Sequence, residues 1–263
     1  MNWIDIGVNL TNKRFNNDRD KVIQEAEAAG VKYQILTGTN ITESKRAFQL
    51  TKEYSGKLFS TAGCHPHDAK NFTTQNYHQL EELLKHSSVV AVGECGLDFN
   101  RNFSPPAKQI EVLKQQLDLA VDTQKPVFLH ERDAFEKHIE ILQPYMNRLK
   151  GAVVHCFTGN EEQLKAYIEL GAHIGITGWV CDERRGLPLR DIVHLIPDDK
   201  LMLETDAPFL LPRDLQPKPK SNRNVPKYLP HIAQTIAHAR DTSLESLSNQ
   251  CYANTSNFFG LNV

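Results

Sequence analysis

Eight short β-rich runs alternate with helix-period segments along the whole chain, and nothing else in the sequence restricts the fold as strongly. The runs are WIDIGV (3–8), YQILTGT (33–39), FSTAGCH (59–65), VVAVGECGLD (89–98), PVFLHER (126–132), GAVVHCF (151–157), AHIGITG (172–178) and LMLETDAPF (201–209). Most are apolar throughout, as strands covered on both faces must be. Between them lie segments of helical period such as DRDKVIQEAEAAG (18–30), ITESKRAFQLTKEY (41–54), AKQIEVLKQQLDLAVDTQ (107–124) and EEQLKAYIELG (161–171). Several stop at Gly30, at Gly171 or ahead of Pro126, as helices do. Strand and helix repeated eight times predict an α/β fold, a closed (β/α)8 TIM barrel forming one domain over residues 1–263. A doubly wound open sheet is the competing arrangement, but it rarely reaches eight equal units without a domain break.

The chain has 263 residues, 40% hydrophobic and 24% charged, ordinary for a globular protein. Its net charge of −2 means that affinity for an acidic partner must come from a local patch. No run approaches the ~18 apolar residues of a membrane span, and the N-terminus lacks a signal peptide's basic start and apolar core. The five cysteines (64, 95, 156, 181 and 251) are scattered and form no C-x-x-C pair. Reduced thiols in a cytoplasmic protein are therefore expected, with no membrane partner. One long irregular stretch, PRDLQPKPKSNRNVPK (212–227), carries four prolines, at 212, 217, 219 and 226. Prolines so placed forbid a helix and predict an ordered loop, after which residues 228–259 read as closing helices.

Polar side chains gather where the runs end. They are Asp5 and Asn9, His65 and His67, Glu94 and Asp98, His130, His155, and Glu204 with Asp206. In a (β/α)8 barrel these ends line one mouth, where active sites are built. Alternation puts Glu204 and Asp206 on one face of their strand, and Phe128 and His130 on one face of theirs. Taken singly, a histidine near a strand end is more often a hydrogen-bonded structural residue, and a carboxylate caps a loop. Together they imply more, because burying several such groups is costly unless they are paired or hold a metal.

Six long motifs then fall into place: TAGCHPHD (61–68), VGECGLDFNRNF (92–103), LHERDA (129–134), HCFTG (155–159), GITGWVCDERRG (175–186) and ETDAPFLLPRDL (204–215). Over essentially its whole length the chain resembles the TatD family of metal-dependent nucleases, within the amidohydrolase-like barrels. The resemblance implies that Glu94, His130 and His155 ligate metal, that Asp206 is the essential aspartate, and that His65 belongs to the substrate pocket. Many relatives carry His-x-His on the first strand, whereas Gly7 and Asn9 stand there in this chain. One firm cation site is expected on Glu94, His130 and His155. A weak one would draw on Glu94 as a bridge, Asp206, Asn9 and water. Oxygen-rich ligands suit Mg2+, with Mn2+ or Zn2+ as alternatives.

On this reading Asp206 accepts a proton from the attacking water, and Glu94 anchors the metal. His65 or His67 donates to a phosphate oxygen or to the leaving 3′-oxygen, unless either merely orients a loop. Arg213, Lys218, Lys220, Arg223 and Lys227 oppose a single acid, Asp214, in the proline-rich loop. Arg101 follows the fourth run, and Arg184 and Arg185 follow the seventh, so these cations should rim the mouth and meet phosphates. Phe99, Phe103, Phe157 and Trp179 would stack unpaired bases or else belong to loop cores. The expected activity is a monomeric, metal-dependent 3′→5′ exonuclease on DNA, and on RNA as well, favouring single strands or frayed ends and serving DNA repair or degradation. Direction and cellular role come from the likeness alone. Hydrolysis of a small ester, amide or lactone is an alternative on the same barrel. A non-catalytic binding module is a third reading.

Overall fold

The computed structural model describes residues 1–261 and 263. Eight strands pair in chain order: β1 (Trp3–Val8), β2 (Val31–Leu36), β3 (Leu58–Ala62), β4 (Val89–Asp98), β5 (Val127–Arg132), β6 (Ala152–Val154), β7 (His173–Ile176) and β8 (Leu201–Leu203). Every neighbouring pair is parallel. The ring closes through a parallel bridge between Val8 and Ala207. Backbone bonds reinforce it: Asp206 N–H donates to Gly7 O at 2.9 Å and Asn9 N–H to Ala207 O at 2.7 Å. The result is a (β/α)8 barrel, as the alternation predicts.

Nine helices surround the sheet among the described residues: α1 (Arg19–Ala28), α2 (Ile41–Glu53), α3 (Thr74–Leu84), α4 (Pro106–Thr123), α5 (Phe135–Leu142), α6 (Glu161–Glu169), α7 (Leu187–Ile192), α8 (Leu229–Ala239) and α9 (Leu244–Phe259). Local chemistry sets their ends. Asn160 accepts from Gln163 N–H while the Gln163 side chain answers the Asn160 N–H, closing a capping box on α6. Pro106 occupies the first turn of α4, where its missing N–H costs nothing, and Gln124 ends that helix in the left-handed region. Among the described residues no helix is long and apolar enough to cross a membrane.

The core has two layers. Inside the barrel, Ile4, Ile6, Ile35, Val90, Phe128, Val153 and Met202 pack together, and Phe258, Phe259 and Leu261 from the end of α9 join them. That apolar plug leaves the opposite end, at the strands' C-termini, for polar groups. A second layer, with Leu97, Leu113, Leu117 and Tyr167, binds helices to the sheet. Burial of each such side chain contributes about 1.5–3 kcal/mol.

β6 and β8 span only three residues each, shorter than the runs GAVVHCF and LMLETDAPF suggest. The backbone leaves the ladder at the functional end, where Cys156 (φ 49°) and Asp206 (φ 51°) adopt the left-handed conformation. Such a φ is uncommon for residues with a Cβ and persists where surrounding contacts impose it. Here it turns His155 and Asp206 into the mouth. Residues 212–225 form turns and no helix, consistent with their prolines. Buried Asn224 ties the end of this loop to the barrel, its Nδ2 donating to Thr205 O at 2.9 Å.

Candidate active site

One carboxylate oxygen organises the mouth. Glu94 Oε1, near the end of β4, lies 2.8 Å from His155 Nε2, 3.0 Å from His130 Nδ1 and 3.3 Å from His65 Nε2. Three imidazoles, from the ends of β3, β5 and β6, thus aim at one atom. Burial would raise the Glu94 pKa, but the charges of His155 and His65 and the hydrogen bonds from His130 and His155 outweigh it and hold the carboxyl well below its usual range. Burial likewise opposes charge on His155, and Glu94 with Glu204 overcomes it, raising the imidazole well above its usual value.

The second nitrogen of each ring separates their roles. His155 Nδ1 faces Glu204 Oε2 at 3.2 Å, so Nδ1 carries a hydrogen and Nε2 is the nitrogen a cation can use. His65 is the reverse: its Nδ1 accepts from His67 N–H at 3.1 Å, which puts the proton on Nε2. His65 therefore presents a donor to the mouth. His130 Nε2 is buried and has no hydrogen-bond partner, although Asp98 Oδ2 lies 3.4 Å away. The nitrogen that His130 turns to Glu94 is Nδ1, and a buried carboxylate oxygen faced by imidazole nitrogens is a donor set that fits a divalent cation. His65, Glu94 and His130 each place a nitrogen or oxygen atom within 4.8 Å of the others, but the proton on His65 Nε2 makes that ring a donor beside the Glu94 focus. Asp98 instead grips His67, whose Nε2 lies 2.7 Å from Oδ2, and accepts the N–H groups of Asn100 and Arg101.

Across the mouth the groups are oxygens and amides. Asn9 Nδ2 donates to Asp206 Oδ1 at 2.9 Å. Burial, with Glu94 and Glu204 as anionic neighbours, pushes Asp206 up to about 7 against the pull of His155. Gly7 proves to be a matter of space. A Cβ there would stand 2.3 Å from Glu204 Oε2, and one at Gly175 would stand 2.6 Å from Oε1. Two glycines thus make room for the buried Glu204 carboxylate, which accepts from Cys156 N–H and holds His155. Position 7 has no room for a side chain, because Glu204 fills that volume.

A cleft of about 510 Å³ opens over these groups, lined also by His67, Arg101, Trp179 and Phe209. Trp179 and Leu210 are shared with an adjoining groove of about 760 Å³ bordered by Arg184, Arg185, Arg213, Lys218 and Lys220. Arg185 stacks over Trp179 at 4.3 Å.

Residues 4–260 match the family model for TatD related DNase. The 3′-5′ ssDNA/RNA exonuclease TatD of Escherichia coli K12 is 51% identical over 257 residues, covering 98% of each chain. Its namesake in Edwardsiella piscicida is 52% identical over 258 residues, 98% of this chain and 99% of that one. The chain belongs to the TatD-related DNase family. The crystal structure of a TatD homolog of Escherichia coli K12 superposes with a TM-score of 0.89 at 28% identity, covering 98% of both chains. A TatD family hydrolase of Entamoeba histolytica does so with a TM-score of 0.89 at 26% identity, again covering 98% of both chains.

Against this TatD frame the structure brings together His65, His67, Glu94, Arg101, His130, His155 and Asp206 at the mouth, with Arg213, Lys218 and Lys220 beside it. Arg223 is a correction. Its guanidinium grips Asp18 through two bonds of 2.8 and 2.6 Å and lies over Phe15, so it anchors the loop and does not face the groove. Lys227 likewise pairs with Glu25 at 2.7 Å. Phe157 is 3% exposed and packs edge-on to Tyr167, a core residue and no base platform. Phe103 is 52% exposed and lies against His67, with ring centroids 4.7 Å apart. Sequence reasoning passed over Phe209, 48% exposed at the rim of the cleft, because an aromatic residue following Pro208 carries no signal of its direction.

Proposed function

We propose that this TatD-family chain is a metal-dependent exonuclease that removes nucleotides from the 3′ end of single-stranded DNA and RNA. One observation carries the reading: three imidazoles focused on Glu94 sit opposite Asp206 in a cleft that continues into a groove bordered by five cationic side chains. The names of the relatives, 3′-5′ ssDNA/RNA exonuclease TatD, support the polarity and substrate class.

In this reading Glu94, His130 and His155 would hold the firm cation, while Asp206 and Asn9 would contribute to a weaker site. Mg2+ is the ion we assign to the working enzyme. A bound divalent cation supplies polarisation of a phosphoryl oxygen and acidification of water. Asp206 accepts the proton of the water that attacks phosphorus, and the adjacent Asn9 amide keeps its carboxylate oriented. The P–O3′ bond breaks, and His65 donates its Nε2 proton to the departing oxygen or to a phosphate oxygen. His67, clamped by Asp98, and Arg101 steady the terminal phosphate. Arg213, Lys218 and Lys220 contact phosphates further along the strand, and Trp179, Phe103 and Phe209 offer faces for unpaired bases. In this reading the chain acts as a monomer. A cytoplasmic task in DNA repair or degradation suits such an activity.

The test uses purified protein with single strands labelled at the 3′ or the 5′ end, each metal in turn, and a chelator control. Stepwise loss of the 3′ label that stops with chelator is expected. Turnover of carboxyl esters or lactones without phosphodiester cleavage would overturn the reading in favour of a small-molecule hydrolase.

A further inference from the structure

Outside the mouth, a second group of ligand-type side chains meets at the foot of the basic loop. Cys181 ends the turn Gly178–Cys181 that follows β7, Asp214 lies in the proline-rich loop, and His231 is in the first turn of α8. Their sulfur, oxygen and nitrogen atoms all lie within 4.8 Å of one another. His231 Nε2 is 2.7 Å from Asp214 Oδ1, and Thr235, one helical turn on from His231, reaches Cys181 Sγ at 3.4 Å. Cys181 is fully buried, while the side chains of Asp214 and His231 are 27% and 31% exposed. The cluster is therefore closed behind the sulfur and open to solvent on one side.

We infer that Cys181, Asp214 and His231 form a second metal site, selective for Zn2+, with its open side left for water. A thiolate, an imidazole and a carboxylate make a mixed set that zinc accepts in tetrahedral geometry and that hydrated Mg2+ does not favour. A nucleophilic Cys–His–Asp arrangement is the competing use of the same residues. The sulfur has no access to solvent and so cannot reach a substrate as a nucleophile. On zinc binding the thiol proton passes to solvent. The site joins two segments that border the groove, the turn bearing Trp179 and the loop bearing Arg213, Lys218 and Lys220, to α8. Zinc there is a clamp on the loop, distinct from the cation at the mouth.

The test is zinc content after loading and exhaustive buffer exchange in excess Mg2+, together with the spectrum of the cobalt-loaded chain. Wild type is expected to retain one zinc more per chain than Cys181→Ser. Its cobalt form should show thiolate-to-metal charge-transfer absorption that disappears in Cys181→Ser and survives in His155→Ala and Cys156→Ser. His231→Gln, at a partly exposed position, gives the same loss if the serine variant does not fold. Trypsin cutting after Arg213 and Lys220 should slow several-fold on zinc loading of wild type and not of either variant. Equal zinc content in wild type and His231→Gln, or a cobalt spectrum without thiolate absorption, overturns the site.

Discussion

The two sides of the barrel mouth differ in kind. The side built by β3 to β6 presents nitrogen: His65, His130 and His155 converge on Glu94. The side built by β1 and β8 presents Asp206, Asn9 and, behind them, Glu204. The first side is a cradle of imidazoles around one carboxylate, the second a set of oxygens and an amide. The difference teaches why position 7 holds glycine. Gly7 is the space into which Glu204 reaches to hold His155, so the nitrogen side is made firm at the oxygen side's expense. Ligand number and ligand orientation trade against each other within one small volume.

Breaking the nitrogen side should have the largest effect. His155→Ala and His130→Ala are expected to lose nearly all activity together with bound metal while circular dichroism is unchanged; full activity with normal metal content in either would remove it from the ligand set. On the oxygen side, Asp206→Asn should lower kcat by about 10²–10⁴-fold, the range for a lost general base. Metal content should stay near normal, and the two sides exchange roles if metal vanishes but rate returns at high metal concentration. The link between the sides is tested by Glu204→Gln, for which a loss of about 10–100-fold in metal affinity is expected from a freed ligand ring. Calorimetric titration with Mn2+ reads it, and an unchanged affinity would show that Glu204 does not orient His155.

Smaller effects sharpen the comparison. Gly7→Ala should destabilise the fold by about 1–3 kcal/mol, because the new methyl group overpacks against the Glu204 carboxylate. A denaturation midpoint equal to wild type would show that the glycine is not there for space. Histidine at the same position meets the same obstacle, so strand-one ligands cannot simply be restored by Gly7→His. The smallest effect concerns the groove. Neutralising Arg213, Lys218 and Lys220 together should flatten the dependence of log affinity on log salt by about 2, at roughly 0.7 per phosphate contact for single strands. Arg223→Gln should leave that slope alone and lower thermal stability, since its charge is committed to Asp18. A changed slope in Arg223→Gln would return that residue to the groove.

The barrel was legible because its signal is local. Apolar runs of strand length, helical periodicity between them and glycine or proline at the joints mark eight units without reference to any distant residue, and β4 spans the residues its run marks out. Ligand-type residues at strand ends follow from the same pattern, since the architecture alone puts those ends at one mouth. Tertiary structure decided what depends on partners far away in the chain. Arg223 and Asp18 are 205 positions apart, and nothing near either shows that the cation is spent on a loop anchor. The hydrogen placement that makes His65 a donor and His155 a ligand depends on what each ring's second nitrogen meets, a backbone N–H in one case and Glu204 in the other. Sequence by itself determined the fold and the inventory of polar groups at the mouth, because periodicity and residue chemistry are properties of short segments. Only the closed barrel decided which of those groups pair, which volume Gly7 leaves for Glu204 and which cations border the groove, because packing and charge pairing act through space between strands that the chain holds far apart.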